Sequence, residues 1–92
     1  MPDYRQQEGV MVTLMHRFKH QRLPRILAIK AQVDQGRRLG EYDRVFLEEV
    51  MQDAQRNIRK VEDIPECQHM FIQLVGLYKE IIDRAIENEK RA

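Results

Sequence analysis

Apolar residues recur at intervals of three and four along nearly the whole 92-residue chain, and this spacing is typical of amphipathic α-helices. No segment shows the alternation of apolar and polar residues that indicates a β-strand. The main interruptions are Pro24, Gly36, Gly40 and Pro65. We therefore expect an all-α fold, in which residues 1–92 form one domain, a small antiparallel helical bundle of three long helices.

The third expected helix has the clearest boundaries. Pro65 suits its first turn, where a missing N–H costs little, and Lys90 and Arg91 suit its C-terminus. Its apolar residues cover about half of the circumference, so we expect it to lie in a groove between two other helices. The expected seam contains Cys67, Met70, Phe71, Leu74, Tyr78, Ile81 and Ala85, widened by Ile64, Val75, Leu77, Ile82 and Ile86.

The second expected helix runs from about Gly40 to Val61. A short link, residues 62–64, joins it to the third helix, so the two should form an antiparallel hairpin. Asn57 falls within its apolar face, and we expect a neighbouring group to satisfy the hydrogen bonds of its side chain. The expected inner face consists of Tyr42, Phe46, Leu47, Val50, Met51, Ala54, Ile58 and Val61.

Pro24 interrupts the first expected helix, and the apolar stripe after it centres about 90° away from the stripe before it. A proline within a helix frees the carbonyl four residues back and pushes the preceding residue, Leu23, away from α geometry. We expect the helix to be kinked at Pro24, or broken there to give four helices, and to end with Gly36 at C′. The two stripes are Met11, Leu14, Met15 and Phe18, then Ile26, Leu27, Ile29 and Val33.

Charge is distributed unevenly, although the net charge is only +1. Residues 1–40 contain eight Lys or Arg and three Asp or Glu, whereas residues 41–92 contain eight and twelve. This asymmetry favours basic and acidic helices that pack together, and an anionic partner is the alternative interpretation. A single cysteine, no signal-peptide pattern and no long apolar segment indicate a cytoplasmic location without a membrane span.

No pattern in the sequence indicates an enzyme or a cofactor. Serine is absent, Thr13 is the only threonine, and no glycine-rich phosphate loop occurs. Cys67 is expected in the core, where a thiol behaves as a small apolar group. His16 and His20 are one helical turn apart, but no third ligand lies near them in sequence, so we expect no metal site.

The segment "HRFK" at 16–19 resembles part of the signature of histidine phosphotransfer domains, which are helical bundles with one exposed, phosphorylated histidine. His16, Phe18 and Lys19 match that signature, whereas His20 stands where the family has glycine. The resemblance implies phosphotransfer through His16, which is our third functional hypothesis.

Our first hypothesis is a non-catalytic protein–protein interaction or accessory function of the apolar and basic N-terminal helix, with another protein or a second copy as partner. Nucleic-acid binding by the basic N-terminal half is the alternative. Apolar residues would anchor the partner, and cations would set orientation and association rate. The expected partner-binding residues are Met11, Met15, Phe18, Arg17, Lys19, Arg22 and Arg25.

Overall fold

In a computed structural model, which describes residues 4–91 and the side chains from Gly9 onward, the chain forms three helical rods. The first rod comprises α1 (Tyr4–Arg17), a π-helical turn (Phe18–Arg22) and α2 (Leu23–Asp34). The second comprises α3 (Glu41–Asn57) and a 3₁₀ turn (Ile58–Val61), and the third is α4 (Pro65–Arg91). The described residues contain no strand, which confirms the all-α prediction, while residues 1–3 and 92 of the expected domain lie outside the described part.

The rods run up, down and up along a bundle that measures 57 × 19 × 18 Å. The first rod and α3 are antiparallel. Arg22 contacts Asp53, whereas Arg25, which lies later in the first rod, contacts Asp43, which lies earlier in α3. The short link after the 3₁₀ turn then reverses the chain again, and α4 begins at Pro65 as predicted. The expected antiparallel hairpin of the second and third helices is therefore confirmed.

The helix continues through Pro24 without a break. Leu23 has α-helical dihedral angles (φ −59°, ψ −44°), and its N–H donates to the carbonyl of Phe18, five residues back. The wider π turn gives the proline ring room beside the carbonyl that it would otherwise meet. The rod thus consists of two α-helical pieces joined by a π turn, and the expected distortion of Leu23 is wrong, since the proline alters the turn that precedes Leu23 instead.

The centre of the core lies between α2, α3 and α4. α2 packs most extensively against α4, and the side chains of Ile26 and Ile81 are completely buried. Partly buried residues such as Phe46, Met51 and Tyr78 surround this cluster. The buried cluster consists of Ile26, Ile29, Val33, Leu47, Val50, Leu74, Ile81 and Ala85.

Three residues of the expected apolar faces of the second and third helices are exposed instead, as are Leu14 and Leu27 on the stripes of the first helix. Tyr42 is 89% exposed, because Asp43 faces Arg25 of α2 and the preceding residue points about 100° away around the helix. Val75 and Ile86 also lie on the surface, each one residue beyond the buried seam of α4. The neighbouring helices cover only a narrow strip of α4, so the apolar face of α4 is wider than the surface that it buries.

The C-terminus of α2 ends in a Schellman motif. Gly36 has a φ of +90°, as a C′ residue requires, and its N–H donates to the carbonyl of Val33. The N–H of Arg37 reaches back to the carbonyl of Gln32, five residues earlier. The predicted position of Gly36 at C′ is therefore confirmed.

Asn88 joins the end of α2 to α4. Its side chain is buried, and its Nδ2 donates to the carbonyls of Val33 at 2.8 Å and Arg37 at 2.9 Å. The sequence analysis missed this role. The spacing of Ile81, Ala85 and Asn88 continues the buried seam of α4, and a polar residue on such a seam signals a buried hydrogen bond.

Replacing Asn88 with Ala should lower the free energy of unfolding by about 1–3 kcal/mol, because two carbonyls at a buried site would lose their donor. Asn57→Ala is the matched control. Among the described residues, Asn57 donates to Asp53 O of its own helix, and Ala is a better helix former than Asn, so a change near zero is expected. Urea denaturation measures both, and equal effects would contradict the assigned role of Asn88.

A charge cluster connects α2 to α4 on the bundle surface. Lys30 Nζ donates to Asp34 Oδ2 at 2.7 Å, and Arg84 Nε lies 3.7 Å from Asp34 Oδ1. The hydrogen bond from Lys30, together with the charges of Lys30 and Arg84, lowers the pKa of the Asp34 carboxyl. A carboxyl whose pKa is lowered by folding stabilises the folded state above its ordinary pKa.

This contribution should disappear as the pH falls through the lowered pKa of Asp34. The difference in unfolding midpoint between the native chain and Asp34→Asn is therefore expected to be largest near neutral pH and to shrink as the pH falls below the ordinary aspartate pKa of about 3.9 and through the lowered one. Thermal unfolding followed by circular dichroism across this range checks the sign. A difference that grows toward acid would show that Asp34 does not act through its charge.

Candidate interaction surface at the N-terminal helix

An apolar cleft of about 140 Å³ opens where α1 meets the end of α3 and the start of α4. Among the described residues that line it, Asn57 supplies the one carboxamide and Cys67 the one thiol, and none is Asp, Glu, His, Lys or Arg. Such a cleft can accept an apolar side chain. Its lining consists of Met11, Leu14, Met15, Phe18, Val50, Ala54, Asn57, Ile58, Val61, Cys67, Met70, Phe71 and Leu74.

The three expected apolar anchors occupy different depths. Met15 is only 8% exposed, and its Sδ lies 3.8 Å from Cys67 Sγ, so it holds α1 against α4. Met11 and Phe18 are half-buried at the wall of the cleft. As the chain is folded, Met11 and Phe18 are within reach of a partner, whereas Met15 supports the cleft from inside.

Two further apolar residues of α1 are exposed beside the expected anchors. Val10 is 55% exposed and Leu14 is 43% exposed, and Leu14 also lines the cleft. The sequence analysis placed Leu14 on the apolar stripe but did not select it as an anchor. The signal was available, because apolar residues at 10, 11, 12, 14, 15 and 18 form a stripe wider than one helix contact covers.

The four expected cations divide into two pairs. Arg22 Nη1 donates to Asp53 Oδ2 at 2.9 Å, and Arg25 Nη2 lies 3.5 Å from Asp43 Oδ1. The Arg25 guanidinium also stacks 4.0 Å from the centre of the Phe46 ring. These contacts support the interpretation that basic and acidic helices pack together.

Arg17 and Lys19 are exposed and make no ion pair with any described residue. His16 and His20 are exposed on the same segment. Residues 9–33 contain no Asp or Glu at all, so this part of the rod presents positive charge to solvent. Its two partnered arginines face α3, and its solvent-facing cations remain available to a partner.

The two histidines meet the geometric expectations only in part. His16 is exposed and Phe18 half-buried, as the resemblance to histidine phosphotransfer domains requires, but the bulky His20 is also exposed where that family has glycine. Among the described residues, no three His, Cys, Asp or Glu side chains come together to hold a metal ion. Phosphotransfer through His16 stays a prediction.

No family model matches the chain, and no similar curated protein or solved structure was found. The described helices include none with the length and hydropathy needed to cross a bilayer.

Truncation of the two methionines should separate their roles. Met15→Ala is expected to lower the free energy of unfolding by about 2–5 kcal/mol, because it leaves a cavity between α1 and α4. Met11→Ala, the matched control on the same helix, should cost much less, since its side chain is already half-exposed. Urea denaturation of both variants tests this order, and the reverse order would show that α1 packs by a different face.

Proposed function

We propose that the protein is a non-catalytic cytoplasmic interaction protein that binds an acidic, amphipathic helix of a partner protein at α1. The observation that carries the proposal is the open apolar cleft, whose edge is formed by the exposed Leu14. An apolar residue of the partner would enter the cleft, and acidic residues beside it would meet the cations of α1.

The apolar part of the surface supplies the anchor. Complete burial of one Leu-sized partner side chain contributes about 1.5–3 kcal/mol, and the coverage of Val10 and Leu14 adds to this. Three methionines in the lining, Met11, Met15 and Met70, provide a flexible and polarisable wall that adapts to different side chains. Adaptable apolar grooves of this kind are used by proteins that bind amphipathic helices.

The charges determine which helix fits. Arg17 and Lys19 are exposed on opposite sides of Phe18, which lines the cleft, and neither makes an ion pair with a described residue. An acidic partner would gain attraction and a faster association rate, whereas a basic one would be repelled. The proposed partner is therefore acidic on the face that flanks its apolar residues.

The alternative, nucleic-acid binding, has weaker support. Arg22 and Arg25 would have to leave Asp53 and Asp43 to contact phosphates, and Arg25 would also lose its stacking on Phe46. The other exposed cations of this half are divided between Arg17 and Lys19 near the π turn and Arg37 and Arg38 beyond the end of α2, so they do not form the continuous positive surface that several phosphate contacts need.

A peptide titration tests the proposal. The probe is a fluorescent amphipathic peptide of about 18 residues, five helical turns, with Leu on one face and Glu on the other. We expect it to bind, to bind less well at higher salt, and to lose about tenfold in affinity with Leu14→Glu. The matched control Val45→Glu changes an equally exposed residue on α3 (39% against 43% exposed) and should leave the affinity unchanged.

Methionine methyl NMR locates the complex on the protein. The signals of Met11, Met15 and Met70 should shift on titration, while Met51, which lies outside the cleft, should not. A second peptide with Lys in place of Glu, and a single-stranded RNA of similar length, are run in parallel. Failure of the acidic peptide to bind, or binding at least as tight for either competitor, would overturn the proposal.

A further inference from the structure

α1 contributes little to the buried core. The eight residues of the central cluster all belong to α2, α3 and α4, and Met15 is the only buried residue among the described side chains of α1. α1 also packs much less extensively against α4 than α2 does. The attachment of α1 therefore rests on Met15 and on the half-buried Met11, which lines the same cleft.

Ion pairs between helices begin only after α1 has ended. Arg22 pairs with Asp53 at 2.9 Å, and the other ion pairs between helices lie beyond it along the first rod. Among the described side chains of residues 9–21, none forms an ion pair, and the one polar contact that reaches another helix joins the sulfur atoms of Met15 and Cys67. Ion pairs thus fix α2 to α3 and α4, whereas α1 is held by apolar packing.

The π turn between α1 and α2 is the least regular part of the first rod. None of its residues, Phe18–Arg22, is buried, and the N–H of Leu23 reaches the carbonyl five residues back instead of four. Pro24 has no N–H, so the rod also lacks one main-chain hydrogen bond at this point. Single π turns inside helices are frequent at functional sites, and changes in backbone angle concentrate at a few residues where elements end. The pair of Arg22 and Asp53 fixes the far end of this turn to α3, so movement on its near side would leave α2 in place.

We infer that α1 opens as one unit about the π turn while α2, α3 and α4 remain folded. Proteins open locally in cooperative units, and the units that open most readily have few buried apolar contacts. Opening would separate Met15 from Cys67 and uncover the floor of the cleft, which includes the buried Val61 together with Met70 and Phe71. α1 thus acts as a strap that covers apolar surface where the second and third rods meet.

The opening is a property of the free protein and needs no partner. The proposed function uses the closed form, because Met11 and Leu14 of α1 form part of the cleft that receives the partner. A partner that binds the closed form alone would reduce the population of the open one by mass action. A failed peptide titration would therefore leave the inference about α1 intact, and the absence of opening would leave the proposed function intact.

Amide hydrogen exchange of the full chain, followed residue by residue by NMR, tests the inference. We expect the amides of residues 12–17 to share one protection factor, at least about tenfold below that of the amides of Ile29 and Val33 in α2. Simple fraying of the N-terminus would instead give protection that rises steadily from residue to residue toward the π turn. Such a gradient, or protection in α1 equal to that in α2, would overturn the inference.

A conservative core variant separates local opening from unfolding of the whole bundle. Ile81→Val should lower the protection of α2 amides by about threefold to tenfold, because exchange there requires the core to unfold. The same variant should leave the protection of residues 12–17 unchanged, because Ile81 stays packed when α1 opens. Met11→Ala, the reciprocal variant, should lower the protection of α1 and α2 amides by the same factor, since its contacts are lost in both events. An equal loss of protection in α1 and α2 on Ile81→Val would show that α1 opens only with the whole bundle, and this would overturn the inference.

Discussion

The packing of α2 against α4 is the interaction on which the rest of the bundle depends. Ile26, Ile29 and Val33 meet the seam of α4, and both helices contribute completely buried side chains. α3 packs against one side of this helix pair, and α1 continues the first rod on the N-terminal side of Pro24. Because the core is narrow, α2 and α4 supply most of its buried residues, and apolar surface remains at the N-terminal cleft and around the exposed Leu27 of α2.

Helix type, order and most of the core were predictable, because apolar spacing and capping signals act locally. Pro65 starts a helix and Gly36 ends one, and in each case the backbone preference of that single residue explains the boundary. Continuation of the helix through Pro24 was not predictable, since it requires the preceding turn, Phe18–Arg22, to widen into a π turn. The position of Tyr42 likewise depends on which face α3 turns to the core, and the burial of Leu47 and Val50 decides that.

The candidate interaction surface was likewise predictable only where local sequence signals decide it. The apolar and basic character of α1 is visible in the sequence, but the depth of each residue is not. Met15 and Met11 have the same side chain on the same stripe, and only the position of α4 makes one interior and the other accessible. Arg22 and Lys19 differ in the same way, because Asp53 happens to lie beside the first. Tertiary neighbours, which are distant in sequence, assign these roles.

The hydrogen bonds of Asn88 span 55 residues to Val33, and this has a consequence during synthesis. α4 is synthesised after α1, α2 and α3, so these three helices emerge without the helix that covers their apolar faces. The end of α2 and the core are therefore completed only when the 27 residues of α4 are available. Until then, the exposed apolar faces of α1, α2 and α3 favour aggregation of the nascent chain.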